Sequence, residues 1–209
     1  MGLWDRLWSA GYDFLGTRFG KIEEPYRRRL IEDLEGDVLE VGSGTGFNFP
    51  YYRKASRVVA VEPSDEMRKR SHERAARAAV PIEGVAGGGE KLGFADASFD
   101  AVVFTLVLCT IPHPERALRE AKRVLRPGGA VYFYEHVRSK DPKIARRQDR
   151  ILKPWRAFNR GCHPNRDSLA TIREVGLQVN HLEEFDLKGA PGICKAHILG
   201  SAAEAGPAA

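Results

Sequence analysis

Three glycines that follow a predicted buried strand are the residues with the clearest chemical meaning. Gly42, Gly44 and Gly46 occupy every second position directly after the apolar segment that ends at Val41. Glycine has no Cβ, so such a loop lets backbone N–H groups approach a bound molecule closely. A tight turn without a ligand is the simpler interpretation, and the acidic residues near the loop argue against it.

Two carboxylates accompany this loop. Glu40 precedes the first glycine by two residues, and Glu62 ends the second predicted strand twenty residues after Gly42. A dinucleotide fingerprint would need its third glycine at position 47, which is Phe47, so a pyrophosphate is a poor match. Glu40 suits a cationic amino-acid moiety, such as the ammonium and sulfonium of S-adenosylmethionine. Glu62 suits the hydroxyls of a ribose.

An alternation of strands and helices must position these residues. Continuous apolar strands between helices predict a parallel sheet covered on both faces. A Gly-Pro turn between two final strands predicts that the last strand is antiparallel. The expected strands are 37–41, 57–62, 99–108, 129–137, 177–184 and 193–200. The expected helices are 64–79, with Ser64 as N-cap, and 113–125.

Composition limits the class of protein. The 209 residues are 43% hydrophobic and 29% charged, which is typical of one globular domain and excludes collagen and disulfide scaffolds. The longest apolar stretch, 101–111, is too short to span a bilayer, and charges interrupt the first twenty residues, so we expect no secretory signal. Three widely spaced cysteines and six histidines show no metal-ligand spacing. We therefore expect no metal, and a reducing, cytoplasmic compartment.

Five segments between Asp37 and Val137 resemble the class I S-adenosylmethionine-dependent methyltransferases, in particular the branch with the type 11 methyltransferase pattern. These segments are VLEVGSGTG, VVAVEPSDEM, GEKLGFADASFD, TLVLCTIP and RVLRPGGAVYFYEHV. The resemblance implies an α/β fold with a Rossmann-like, seven-stranded, mostly parallel sheet whose last strand is antiparallel. It implies S-adenosylmethionine as the cofactor. We expect this domain over 31–200, preceded by an amphipathic helix over 1–30 and followed by a flexible tail over 201–209.

The resemblance also assigns roles to cofactor-binding residues. It places the glycine loop at the methionine moiety, Glu62 at the ribose and Gly88 to Glu90 around the adenine. Many members have Asp-Ala where this chain has Gly88-Gly89, so backbone groups must serve the adenine amino group here. The expected cofactor-binding set is Glu40, Gly42, Ser43, Gly44, Thr45, Gly46, Asn48, Glu62, Pro63, Met67, Gly88, Gly89, Glu90, Leu106 and Val107.

Two ionisable residues, Glu135 and His136, lie at the end of the expected strand 129–137. Ligands of an open parallel sheet bind outside the carboxyl ends of its strands, so either side chain could orient or deprotonate a methyl acceptor. The alternative is that the two residues bond each other or cap the loop. We also expect Tyr26 to take part in catalysis.

The N-terminal segment has an aromatic stripe at helical spacing. Such a helix suits a lipid interface or a cover over a pocket, and docking on its own sheet is an equal alternative. The stripe consists of Leu3, Trp4, Leu7, Trp8, Gly11, Tyr12, Leu15, Phe19 and Ile22.

A basic insertion is expected over 138–167. Residues 138–160 hold nine Lys or Arg and two Asp, a charge of +7 against +5 for the whole chain, so the remainder is close to neutral. A solvated helix face is the alternative interpretation of this charge. The insertion resembles a subgroup that contains the membrane-associated thiol methyltransferases and their bacterial relatives.

The leading hypothesis is a phosphatidylethanolamine N-methyltransferase that binds the inner face of an anionic membrane peripherally. Its expected substrate-binding residues are Tyr12, Arg27, Arg138 and His163. The alternative enzyme methylates a small thiol, quinone or phenol. A nucleic-acid substrate is disfavoured because Thr110-Ile111-Pro112-His113 stands where base methyltransferases carry an N/DPPY motif. A scaffold that binds the cofactor without turnover is the third hypothesis, and the oligomeric state is not predicted.

Overall fold

The computed structural model describes residues 3–205, without the side chains of residues 3–7, 12, 15 and 17–19. Helices and strands alternate through most of the chain. The helices are α1 (Leu3–Ile31), α2 (Asp65–Ala76), α3 (Pro114–Val124), α4 (Pro142–Phe158) and α5 (Ser168–Glu174). The strands are β1 (Glu35–Val41), β2 (Lys54–Glu62), β3 (Ile82–Ala86), β4 (Phe99–Thr105), β5 (Leu125–His136), β6 (Leu177–Asp186) and β7 (Ala196–Glu204).

The seven strands form one sheet in the order β3-β2-β1-β4-β5-β7-β6. Strands β1 to β5 pair in parallel, and β7 is antiparallel to both β5 and β6. The expected α/β, Rossmann-like sheet with an antiparallel last strand is therefore confirmed. The strand order reverses between β1 and β4, and a crevice opens at their carboxyl ends, where such sheets bind ligands.

Both faces of the central strands are buried, which explains the uninterrupted apolar runs of β1, β2 and β4. One layer packs α3 and α5 against residues such as Val102 and Phe104. The other layer packs the end of α1, with Leu30 and Ile31, against Val38. A strand that is covered on both faces needs apolar side chains at consecutive positions rather than at alternate ones.

Several predicted boundaries were wrong, each for a local reason. β3 was not among the expected strands, because it is short and mostly exposed and lacks an apolar run. β4 ends at Thr105 rather than 108, and β5 begins at Leu125, before the Pro-Gly-Gly sequence that a register shift accommodates. The tail expected from residue 201 continues β7 to Glu204, because Ala202 pairs with both Val131 and Val179 and is fully buried.

Helix α1 docks on the sheet through its second half. The ring of Tyr26 stacks on Phe185 at 4.4 Å and on Tyr134 at 5.8 Å between centroids. Most of the aromatic stripe, including Trp4 and Tyr12, lies outside the described side chains. Within the described part of the chain, no helix combines the length and the apolarity that crossing a bilayer requires.

A buried glutamine attaches α4 to the rest of the domain. The Gln148 Nε2 amide donates to the carbonyl oxygens of Pro164 and Ile193, both at 2.8 Å, and Oε1 accepts from the Ser139 N–H at 2.9 Å. Gln148 is fully buried. These bonds join α4 to the segments before and after it, so they set the position of the insertion over the sheet.

Replacing Gln148 with leucine should therefore destabilise the protein by about 2–4 kcal/mol, because buried donors and acceptors lose their partners while the side-chain volume hardly changes. Urea unfolding followed by circular dichroism measures this loss. The matched control, Arg147→Gln, alters the adjacent exposed position and should change the free energy of unfolding by less than about 0.5 kcal/mol. Equal stabilities for the two variants would contradict the role assigned to Gln148.

Candidate active site

A large cavity of about 1100 Å³ lies at the carboxyl edge of β1, β2, β4 and β5. α1 covers one side of it, and the end of α4 and the 187–194 segment border another. The expected cofactor-binding residues on its wall are Gly42, Gly44, Glu62, Pro63, Met67, Gly88, Gly89, Glu90, Leu106 and Val107. Ligand cavities of about 300–1,000 Å³ are usual, so this one has room for a cofactor and a second molecule.

The glycine loop needs glycine at defined positions. Gly42 has a φ of +71°, and a Cβ there would lie 2.2 Å from Cγ2 of Val107. Gly46 has a φ of +81°, and its Cβ would meet the Phe49 ring at 2.6 Å. The backbone therefore turns tightly between β1 and the following segment, and it exposes Gly42 and Gly44 to the cavity.

Glu62 closes the next corner of the cavity. One carboxylate oxygen accepts from the N–H of Gly44 at 3.0 Å, and the other accepts from the N–H of Ser64 at 2.9 Å. Burial raises the pKa of Glu62, and the two backbone hydrogen bonds oppose that shift. Each oxygen keeps a second lone pair, so a carboxylate fixed at the cavity wall can accept bonds from ribose hydroxyls.

The segment after β3 leaves open space beside the cavity. A Cβ on Gly88 would meet nothing within 4 Å, whereas one on Gly89 would lie 2.7 Å from Val41. Glu90 accepts from the N–H of His113 at 2.8 Å, which fixes the start of α3 against this segment. A flat base can approach the bare backbone at Gly88, so the cavity fits the adenosine half of S-adenosylmethionine.

Glu40 occupies a different place from the one expected. Its two carboxylate oxygens accept from Asn48 Nδ2 at 3.2 Å and from the Tyr52 hydroxyl at 2.8 Å, behind the glycine loop. Glu40 does not line the described cavity, and neither do four other expected residues, Ser43, Thr45, Gly46 and Asn48. We therefore correct the expected contact between Glu40 and the cofactor. The Glu40 side chain stabilises the glycine loop from the side that faces away from the cavity, through its hydrogen bond with Asn48.

Glu135 also stabilises a loop by hydrogen bonds inside the protein. Its buried carboxylate accepts from the N–H groups of Val107 and Leu108 at 2.8 and 2.9 Å and from that of Cys109 at 3.4 Å. Burial raises the pKa of Glu135, and these N–H bonds act against it. The carboxylate is fully enclosed and does not border the cavity, so the alternative of a loop cap fits Glu135 better than acid–base chemistry does.

His136, by contrast, lines the cavity and contacts one thiol that is distant in the sequence, which in turn contacts a second thiol. Its Nε2 lies 3.3 Å from Sγ of Cys162, and that sulfur lies 3.8 Å from Sγ of Cys109. Burial lowers the pKa of His136, but the hydrogen bond and the charge of Cys162, with Glu135 nearby, outweigh burial and leave the pKa raised. Cys109, His136 and Cys162 are called the Cys–His cluster below.

Spacing along the chain gives no sign of this cluster. Fifty-three positions separate Cys109 from Cys162, and the turn after α4, with Gly161 at a φ of +87°, returns the chain to the end of β4. Sequence reasoning also missed Trp155, Cys194 and His197, which border the same side of the cavity. Adjacent strands juxtapose His197 with His136, a pairing that only the antiparallel register of β7 reveals.

Most of the residues expected to bind substrate either bind other protein groups or lie away from the cavity wall. Arg27 reaches the cavity wall but binds Glu23 at 2.6 Å and Asn48 at 2.9 Å. Arg138 is exposed and forms a two-bond ion pair with Asp149, and His163 lies outside the described cavity wall. Tyr26 stacks on Phe185 rather than facing the cavity. The side chain of Tyr12 lies outside the described residues.

The buried carboxylate of Glu40 makes stability depend on pH. Burial, opposed by the bonds from Tyr52 and Asn48, raises the pKa of Glu40 from 4.5 to about 7. Between these values the folded protein keeps a proton that the unfolded chain has lost, so the free energy of unfolding falls as pH rises. The contribution of Glu40 to this fall is about 3 kcal/mol.

A Glu40→Gln variant should lack that contribution. Urea unfolding from pH 4.5 to 7.5 should show wild type losing about 3 kcal/mol relative to the variant as pH rises. Glu73→Gln, at an exposed carboxylate paired with Arg77, is the control and should stay parallel to wild type. Parallel curves for Glu40→Gln would mean that Glu40 is ionised in the folded protein throughout this range.

Comparison with known proteins agrees with this site. A family model described as a methyltransferase domain matches residues 39–133. The thiol S-methyltransferase TMT1B of Rattus norvegicus is 33% identical over 199 residues, which cover 88% of this chain and 82% of that protein. The phosphatidylethanolamine N-methyltransferase of Cereibacter sphaeroides is 36% identical over 146 residues, covering 67% of this chain and 70% of that one.

A solved structure shows the same fold. The S-adenosylmethionine-dependent methyltransferase of Mesorhizobium loti aligns with a TM-score of 0.63 and 22% identity, and the alignment covers 87% of this chain and 97% of that one. Its fold, the matched domain and the extensive similarity to the rat enzyme lead to one assignment. The chain belongs to the S-adenosylmethionine-dependent methyltransferases and is an enzyme that uses S-adenosylmethionine as its methyl donor.

Proposed function

We propose that this methyltransferase acts on the sulfur of a small apolar thiol. The observation that carries the proposal is the nature of the cavity wall away from the glycine loop. Apart from the Cys–His cluster, the lining there is formed mainly by Ile111, Trp155, Leu187, Ala190 and Pro191, together with the polar side chains of Thr110 and Asn159. A mostly apolar wall with few polar atoms binds an acceptor whose reactive atom is its only polar group.

Most charged side chains near this wall have partners within the protein, which favours an uncharged acceptor. Arg160 also borders the cavity, and its guanidinium lies over the Trp8 ring at 4.6 Å. Glu23 and Arg27 both border the cavity, and they form an ion pair with each other. The exposed basic residues of α4, among them Lys143, Arg146 and Arg150, lie on its outer face and do not line the described cavity. A phosphodiester would instead require cations that point at it without a protein partner.

The chain contributes alignment and exclusion of water. When bound, the cofactor supplies a methyl group on a positively charged sulfur, so the transfer needs little acid–base assistance. Trp8 of α1 donates from Nε1 to the carbonyl oxygen of Phe158 at 2.9 Å, which joins α1 to the end of α4. Trp8 and Trp155 both border the cavity, so this link closes the wall around the acceptor.

The similarity to thiol S-methyltransferases supports the same acceptor class. The rat relative covers most of this chain, including the segments that carry Cys109, His136 and Cys162. The human thiol S-methyltransferase TMT1A is 31% identical and covers 97% of the chain. We therefore place a thiol ahead of the phosphatidylethanolamine of the leading hypothesis and ahead of a quinone or a phenol.

A phospholipid amine is the second candidate, and two exposed aromatic residues favour it. Phe14 on α1 and Phe158 on α4 are 69% and 68% exposed, on the two helices that enclose the cavity. Exposed aromatic side chains beside a basic helix suit a membrane surface. The similarity to the phosphatidylethanolamine N-methyltransferase supports this reading, and peripheral attachment to the inner membrane face stays a prediction.

An acceptor panel tests the proposal. The full chain is incubated with methyl-labelled S-adenosylmethionine and a short alkyl thiol, the alcohol of equal chain length, a hydroquinone or phosphatidylethanolamine vesicles. We expect label in the thiol and none in the alcohol, because sulfur is the better nucleophile at equal size and apolarity. Label confined to the vesicles would replace the thiol with the lipid amine, and label confined to the hydroquinone would reject both.

A further inference from the structure

The Cys–His cluster has the arrangement of a metal site. Its three residues come from the loop after β4, the end of β5 and the turn after α4. Cys109 is 2% exposed, and His136 and Cys162 are each 8% exposed. Their two sulfurs and one ring nitrogen all lie within 4.8 Å of one another.

The distances match those around one tetrahedral ion. Bonds of about 2.3 Å to sulfur and 2.0–2.1 Å to nitrogen separate two sulfurs by about 3.8 Å and a sulfur from a nitrogen by about 3.5 Å. The two sulfurs of the cluster are 3.8 Å apart, and Cys162 Sγ lies 3.3 Å from His136 Nε2. Small side-chain movements would therefore bring all three atoms to bonding distance from a common centre.

We propose that Cys109, His136 and Cys162 bind a zinc ion whose fourth position takes the sulfur of the acceptor thiol. Two thiolates and an imidazole are ligands that zinc prefers. All three residues border the cavity, so the fourth position opens to the acceptor. Three protein ligands and one open position are typical of zinc in a catalytic site. The role of the fourth position rests on the proposed thiol acceptor.

The surroundings hold the ligands rigidly. Glu135 accepts from the Cys109 N–H, and the carbonyl oxygen of Cys109 accepts from the His163 N–H at 2.8 Å. Trp155 Nε1 donates to Sγ of Cys162 at 3.4 Å, a bond that a zinc-bound thiolate strengthens. Arg166 donates to the carbonyl oxygen of Ile111 at 2.6 Å and places a cation near Glu135. A zinc ion with two thiolate ligands has no net charge, and the charges of Arg166 and Glu135 offset each other.

The ion would prepare the acceptor for transfer. A thiol that binds zinc loses its proton to solvent and coordinates as a thiolate. A lone pair of that sulfur forms the new bond to the methyl carbon. The bond from this carbon to the cofactor sulfur breaks, and its electron pair stays on the cofactor sulfur, which leaves S-adenosylhomocysteine. The product is an uncharged thioether, a weaker ligand than the thiolate, and it leaves the ion.

Cobalt(II) titration of the reduced full chain tests the site without relying on activity. We expect about one equivalent of cobalt per chain, with the thiolate charge-transfer and visible bands of tetrahedral cobalt, and competition by zinc. Cys109→Ser and Cys162→Ser should each weaken binding by more than about tenfold, the loss that follows removal of a mere hydrogen-bond partner of a ligand. Cys194→Ser removes a thiol that also borders the cavity but lies outside the cluster, and it should bind as wild type. Circular dichroism checks that each variant is folded.

Addition of the alkyl thiol should shift the visible cobalt bands, because its sulfur enters the fourth position, whereas the matched alcohol should leave them unchanged. No cobalt uptake by wild type, or uptake that survives both cluster substitutions, would overturn the site. Visible cobalt bands that do not shift when the thiol is added would overturn the role of the fourth position. Thiol methylation at the full rate by chelator-treated enzyme would overturn the zinc step and leave the proposed function intact.

Discussion

The hydrogen bonds of one buried carboxylate fix the loop at the centre of the cavity. Glu135 accepts from three consecutive N–H groups, Val107 to Cys109, directly after β4. Without that acceptor these donors would be buried and unpaired, since the loop turns sharply at Leu106 with a φ of +52°. The loop separates the cofactor side of the cavity, where Val107 packs against Gly42, from the acceptor side, where Cys109 meets His136.

The same design recurs beneath the glycine loop. Glu40 is enclosed and binds Asn48 and Tyr52, while Asn48 also contacts Arg27 and Thr105. Two inward-facing carboxylates thus stabilise the two loops that meet at the cavity. Glu62 differs from them because it reaches the cavity wall. Methyl transfer from an activated donor depends on the alignment of donor and acceptor more than on acid–base groups. Carboxylates that fix the loops around the cavity contribute to that alignment.

The sequence predicted the fold well because parallel strands buried on both faces produce continuous apolar runs. Gly42, Glu62 and Gly88, which it predicted beside the cofactor, do line the cavity, because their positions depend on local order along the chain. It expected Glu40 at the cofactor and left Glu135 undecided between acid–base chemistry and a loop cap, since a carboxylate looks the same in a sequence whether it faces a cavity or a row of N–H groups. The Cys–His cluster was invisible for another reason: Cys109, His136 and Cys162 meet only through the sheet order and the turn after α4.

Calorimetric titration of the full chain with S-adenosylmethionine tests most directly whether this cavity is the methyl-donor site. Binding at one site per chain is expected, weakened about tenfold or more, or 1.4 kcal/mol, in Glu62→Ala. Glu73→Ala, at an exposed position of α2, should bind as wild type. Absence of binding to wild type, or equal affinity in a folded Glu62→Ala variant, would contradict the assignment of the cavity and of Glu62.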